Sequence, residues 1–88
     1  MRKLLYEASF DFAVEALGGY RAVDVALEPI LDGLIRNPYG FNVIENDWTK
    51  MRYVITKATL DIPALLVMFK IEEGGDVALV HAEKYERY

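Results

Sequence analysis

The stretch that most constrains the fold of this chain runs from residue 63 to residue 83 and has the pattern of a β-hairpin. Its first arm, residues 64–71, is apolar at every position except Lys70. Successive side chains of a strand point to opposite faces, so a run that is apolar at both parities predicts a central strand covered on both faces. Gly74 and Gly75 tolerate positive φ and predict a two-residue turn, after which residues 76–83 return antiparallel.

The length and composition predict one folded domain over residues 1–88. A chain of 88 residues allows a single modest core, and an apolar fraction of 53% is typical of a globule. The sequence has no cysteine, which excludes disulfides and thiolate nucleophiles. No stretch approaches the about 20 apolar residues of a membrane span, and the N-terminus lacks the apolar region of a signal peptide. We therefore expect a cytoplasmic protein that does not engage a membrane.

The charge distribution bears on nucleic-acid binding. The formal net charge is −4, whereas proteins that bind RNA or DNA usually carry a basic surplus to neutralise phosphates. The segment 48–70 departs from this balance, since it holds Lys50, Arg52, Lys57 and Lys70 against a single acidic residue. This basic middle predicts either a local binding surface or solvated strand faces.

Two helices are predicted before the strands of the second half. Ser9 is a candidate N-cap for the first helix, and Gly18-Gly19 predicts its end. Apolar residues then recur at three- and four-residue spacing from Tyr20, which predicts a second helix with one apolar stripe. Pro29 predicts a kink or break inside it, and Asn37-Pro38 predicts its end.

The predicted order of elements gives an α+β fold. An edge strand at residues 4–6 precedes the helices, and strands at 41–45 and 50–59 precede the hairpin. We expect the N-terminal strand and the two helices to pack on one face of an antiparallel sheet of three to four strands. The other face, if it is apolar, would be covered by Tyr20, by the C-terminal tail or by a partner chain.

In this order, the motifs resemble the RelE/ParE toxin superfamily over nearly the whole chain. The resemblance rests on the junction Leu34-Ile-Arg-Asn-Pro38-Tyr-Gly40, on the arginine-bearing strand at Arg52, and on two closing strands that read LVMFKI and VALVHAEKY. The resemblance implies a RelE-like α+β fold and a role as the toxin of a type II toxin–antitoxin pair. The RelE branch cuts mRNA at the ribosome without a metal and so inhibits translation, and the ParE branch targets DNA gyrase.

For a metal-independent endoribonuclease, the resemblance implies basic residues that hold phosphate and a histidine or tyrosine that transfers a proton. The candidate catalytic residues are Arg52, His81 and Tyr85. The candidate RNA- and phosphate-binding residues are Lys50, Lys57, Lys84 and Trp48. No cofactor or metal is expected. The expected partner is a cognate antitoxin, with ribosome-bound mRNA or a second copy of the chain as alternatives.

This chain departs from the active RelE-like pattern in its central strand. Leu65 or Leu66 stands where an arginine usually precedes the aromatic residue of that strand. Each candidate also has a structural alternative. The basic residues would be solubilising charges on edge strands, and His81 would be a strand residue hydrogen-bonded to a neighbour. Trp48 would anchor the core or an interface, and Tyr85 would pack with the C-terminal tail. A non-catalytic protein-interaction module with a toxin-like fold is therefore the alternative function.

Overall fold

A computed structural model of the chain describes residues 2–45, 50–58 and 62–85. The elements, in chain order, are β1 (Leu4–Tyr6), α1 (Ala8–Ala16), α2 (Tyr20–Arg36), a short 3₁₀ helix (Pro38–Gly40), β2 (Asn42–Glu45), β3 (Lys50–Ile55), β4 (Leu65–Ile71) and β5 (Val77–Lys84). Within the described ranges, no helix is long and apolar enough to cross a membrane.

The strands form one five-stranded sheet in the order β1-β5-β4-β3-β2, which confirms the α+β class and places β4 at the centre. The neighbours among β2 to β5 are antiparallel, whereas β1 is parallel to β5, so the sheet is mixed and has one more strand than the upper expectation. The parallel pair follows from the chain path, because α1 and α2 lie between β1 and the four later strands.

Both helices pack on one face of the sheet, and the hydrophobic core lies between the helices and the sheet. We call this the helix face. Its buried residues from the helices are Phe10, Val14, Val23, Ala26, Leu27 and Leu34, and those from the sheet are Leu65, Val67, Phe69, Val77, Leu79 and Ala82. Leu65, Val67 and Phe69 of β4 are thus buried, whereas Leu66, Met68 and Lys70 are half-buried on the other face. Among the described residues, the helices cover β4 on one of the two faces that were expected to be covered.

The helix boundaries follow the glycine and proline signals, with two differences. The end of α1 is as predicted, because Gly18 and Gly19 adopt φ of 103° and 105°, where a side chain would be strained. Ser9 is not the N-cap: Glu7 holds that position, and the Ser9 hydroxyl donates to the carbonyl of Val80. The helix α2 continues through Pro29 without a break.

The β4–β5 hairpin differs from the predicted two-residue turn. The amide of Glu72 donates to the carbonyl of Asp76, and the amide of Gly75 donates back to Glu72, so the tip contains residues 73–75. Only Gly75 takes positive φ there, at 96°, which is the pattern of a three-residue hairpin loop with a left-handed third position.

The strand β3 ends at Ile55, short of the predicted residue 59, because Thr56 turns inward. Its backbone amide donates to the carbonyl of Leu65, and its hydroxyl accepts the amide of Leu65 in a buried contact of 2.9 Å. The connection between the predicted strands at 41–45 and 50–59, where Asn46-Asp47 favours a tight turn, lies outside the described residues.

Candidate functional site

Cross-strand pairing decides which candidate side chains share a face of the sheet. Residues directly opposite each other on paired strands point to the same side. Arg52 lies opposite Phe69 and therefore points to the helix face. His81 lies opposite Met68 and therefore points to the opposite face, which we call the open face. The sheet separates the two predicted catalytic residues, and the structure does not bring them together.

A β-bulge in β5 causes this separation. The pairing shifts between Met68 and Phe69, so that His81 and Leu79 lie opposite successive residues of β4 and Val80 is extra. In a regular strand His81 would share the face of Leu79, which is fully buried on the helix face. The bulge turns His81 to the open face instead, and bulges commonly redirect a side chain in this way.

Arg52 is held by backbone carbonyls. Its Nη1 donates to the carbonyl of Phe41 at 2.7 Å and to that of Tyr39 at 3.1 Å. Its guanidinium carbon lies 5.5 Å from the centroid of the Tyr39 ring, within cation–π range. These contacts hold the loop after α2 against β3. In this arrangement Arg52 has a structural role as well as any binding role.

The other three candidates near the chain's end gather at one end of β5. His81 and Lys84 both line a cleft of about 500 Å³ between α1 and β5. Nε2 of His81 lies 3.9 Å from a carboxylate oxygen of Glu83 on the same face. The amide of Tyr85 donates to the carbonyl of Ala64 at 2.9 Å, and its side chain is exposed. His81 lies opposite Met68 on the open face and Lys84 opposite Leu65 on the helix face, so the two reach this cleft from opposite sides of β5, and Tyr85 follows Lys84 in the chain.

The remaining basic candidates do not join this group. Lys57 is exposed at the rim of an apolar groove of about 550 Å³ between α2 and the end of β3. Lys50 begins β3 opposite Glu45, at the far end of the sheet from Lys84. Trp48 lies outside the described residues.

The open face is an apolar surface that no described helix covers. Its apolar residues alternate with helix-face residues along β3 and β4: Met51, Tyr53, Ile55, Leu66 and Met68. Tyr53 lies opposite Met68, and Ile55 opposite Leu66, so these side chains form a continuous apolar surface. Four of the five are half-buried, and Ile55 is 40% exposed. The predicted cover by Tyr20 is wrong, because Tyr20 packs against Tyr6 and Phe10 on the helix side.

Two residues that sequence reasoning missed lie beside Arg52. The guanidinium carbon of Arg2 is 6.0 Å from the centroid of the Tyr39 ring, and the ring is 58% exposed. Nη1 of Arg2 donates to the carbonyl of Ile35 at 2.6 Å, and Nε donates to that of Gly75. These partners are far from Arg2 in sequence, so no local pattern signals them. We call Arg2, Tyr39 and Arg52 the Arg–Tyr–Arg cluster.

One titratable group on the helix layer is strongly perturbed. Partial burial and a hydrogen bond donated to the carboxylate of Asp11 raise the pKa of Tyr20 to about 12. The ring packs on Tyr6 with centroids 6.0 Å apart. Tyr20 therefore stays a neutral donor over the physiological range, which suits a structural bond between α1 and α2.

No family model, no curated protein and no solved structure matches this chain.

Proposed function

We propose that this chain is a RelE/ParE-like toxin component of a toxin–antitoxin pair that acts by binding protein partners rather than by cutting RNA. The family assignment is supported by the motif at residues 34–40, by the two closing strands, and by an N-terminal strand and helical pair that precede an antiparallel meander. Such a component works in the cytoplasm, beside its antitoxin.

The apolar open face is the observation that carries this proposal. A contiguous apolar surface on a soluble domain, with aromatic and methionine side chains at its centre, is typical of a protein-binding site. Tyr53 and Met68 provide that centre. The net charge of −4 also favours a protein partner over RNA, since an acidic chain repels phosphates at long range.

The arrangement of the candidate catalytic residues supports binding over cleavage. A ribonuclease of this type needs a cation and a proton donor within reach of one phosphate. Arg52 is on the helix face and already bonds two carbonyls, whereas His81 is on the open face. No single phosphate contacts both side chains in this arrangement.

The partner that fits the open face is an antitoxin segment with an apolar stripe. A helix or extended strand that presents apolar side chains on one side would lie across β3 and β4, and Lys70 and His81 would lie at its margins. Lys70 is already paired with Glu7 and Glu72, at 3.3 Å and 3.8 Å, so apolar contact supplies most of the affinity.

The test is co-expression with the product of a short neighbouring reading frame that has an acidic, helical tail. We expect a complex on size-exclusion chromatography, and the double variant Tyr53→Lys, Met68→Lys should weaken it by more than about 100-fold. The control is Phe12→Lys, which places one such charge at a 74% exposed aromatic position on α1. Loss of binding in the control with retention in the double variant would move the docking surface to the helices and overturn the proposal.

A ribonuclease is the second candidate, because His81 and Lys84 line one cleft and Tyr85 follows them. Induced expression of the chain alone, with a translation reporter and mapping of mRNA ends, separates the two functions. Under the binding proposal, His81→Ala and Lys84→Ala leave any growth arrest intact, and no new mRNA ends appear. Arrest that is abolished by His81→Ala, together with new mRNA ends in the parent, would establish the nuclease instead.

A further inference from the structure

The Arg–Tyr–Arg cluster is a cationic surface in an acidic chain, and its arginines have no carboxylate partner among the described residues. Ion pairs within the described ranges use Arg36, Lys70 and His81 as their cations. Neither Arg2 nor Arg52 has a carboxylate oxygen within ion-pair distance there. Each guanidinium carries five N–H donors, of which the carbonyl contacts engage only part. Both therefore keep N–H donors for a ligand.

Both arginines are held in place before any ligand arrives. Arg2 is fixed by the carbonyls of Ile35 and Gly75, and Arg52 by those of Tyr39 and Phe41. A guanidinium that is already ordered loses less side-chain entropy when it binds, which favours affinity. Arginine and tyrosine are also the residue types that dominate the energetics of protein interfaces.

The surroundings of the cluster limit the length of the anion that it can hold. Arg2 also lines a polar cleft of about 470 Å³ beside Arg36 and Asp76. Asp76 accepts the amide of Lys3, and Asp32 pairs with Arg36 at 3.1 Å. Asp76 places a carboxylate in the cleft that Arg2 lines, so the positive region is short and suits a few negative groups rather than a long polyanion.

From these observations we propose that the Arg–Tyr–Arg cluster binds a short acidic peptide segment of a partner protein, with aspartate or glutamate carboxylates bonded to Arg2 and Arg52 across the Tyr39 ring. Carboxylates match the planar fork of a guanidinium, and such charge-assisted pairs are stronger than neutral hydrogen bonds. Nucleic acid fits less well, since its affinity depends on many phosphate contacts and the chain is acidic overall. This surface is on the helix side of the sheet, separate from the open face, so it does not depend on the function proposed above.

The test is titration of the isotopically labelled chain with acetylated hexaglutamate amide at low salt, followed by NMR. We expect shifts of the Nε–H signals of Arg2 and Arg52 and of the Tyr39 ring, and no such shifts with hexaglutamine. The variant Arg2→Gln should lower the affinity for hexaglutamate by at least about fivefold, because one charged pair is lost. The matched control Arg21→Gln removes the same charge from an exposed position on α2 and should change affinity by less than about twofold.

Tyr39→Ala guards against a folding artefact, since it removes an exposed ring and leaves the carbonyl contacts of both arginines in place. It should weaken binding while the rest of the spectrum is preserved. Equal losses in Arg2→Gln and Arg21→Gln would show non-specific attraction and overturn the proposal. Absence of shifts at the cluster with hexaglutamate would also overturn it. Tighter binding of a six-nucleotide oligothymidylate than of hexaglutamate at equal salt would assign the cluster to nucleic acid instead.

Discussion

Replacement of Arg52 by methionine separates a structural role for this arginine from a catalytic one. Methionine keeps most of the unbranched stem and removes every N–H donor. The substitution deletes the bond to the half-buried carbonyl of Phe41, a weaker bond to the carbonyl of Tyr39, and the cation–π contact. A hydrogen bond from a charged donor contributes about 1.5–3 kcal/mol when buried, and an exposed cation–π contact about 0.5–1 kcal/mol.

Because the Tyr39 contacts are exposed, we expect a loss of about 2 kcal/mol in the free energy of unfolding. With a urea dependence of about 1–2 kcal/mol/M for a domain of this size, the unfolding midpoint should fall by roughly 1–2 M. Far-UV circular dichroism in a urea titration measures this shift.

The control is Arg21→Met, an exposed position on α2 with the same change in side chain. Its free energy of unfolding should stay within about 0.5 kcal/mol of the parent value. If Arg52→Met were as stable as Arg21→Met, the carbonyl contacts would carry no stability and the structural role would be refuted. If Arg52→Met were stable but inactive in the growth assay, the arginine would belong to a binding or catalytic surface.

Three further predictions concern the fold around these surfaces. Thr56→Val leaves a buried amide at the start of β4 without its acceptor and should lower the free energy of unfolding by about 1–3 kcal/mol, whereas Thr56→Ser should keep the bond; urea titration compares them. Gly75→Ala should lower the free energy of unfolding by about 1 kcal/mol, measured by thermal unfolding, because φ of Gly75 is 96°. Gly74→Ala should lower it by less, because Gly74 does not have a positive φ and has open space where the new Cβ would lie. The pKa of Tyr20 is raised to about 12, so the folded state holds the phenol proton more tightly than the unfolded state does. The stability that this proton contributes is therefore present below pH 10 and is lost as the pH rises toward 12. Burial is the larger cause and remains in Asp11→Asn, so absorbance titration should show this tyrosine ionising near 12 in the parent and at a lower pH in Asp11→Asn. No difference between the two would exclude the hydrogen bond as a cause.

Local patterns were sufficient for the elements and the fold class. The glycines after α1 and the proline after α2 end their helices for reasons within one turn of the chain. Pro29 did not break α2, because Leu27 and Leu34 on either side of it are both buried against the sheet. Packing of a helix stripe can outweigh the bond that a proline removes.

The composition of the candidate site was readable from the sequence, but its geometry was not. Arg52, His81, Lys84 and Tyr85 are residue types that phosphate chemistry uses, and the sequence pattern placed Arg52 on the strand before the hairpin and the other three in the last strand or just after it. Whether they meet depends on strand register. A single extra residue at Val80 turns His81 away from the face of Arg52.

The sequence by itself determined that this chain forms a small α+β domain around a hairpin whose first arm is the central strand, since hydrophobic periodicity and turn residues act locally. Only the tertiary structure decided that both helices cover the same face of that strand, and that Arg52 bonds carbonyls 11 and 13 residues earlier in the chain. The structure also joined Arg2 to carbonyls 33 and 73 residues later. Contacts at such separations depend on how the elements pack, and the pattern of neighbouring residues does not encode them.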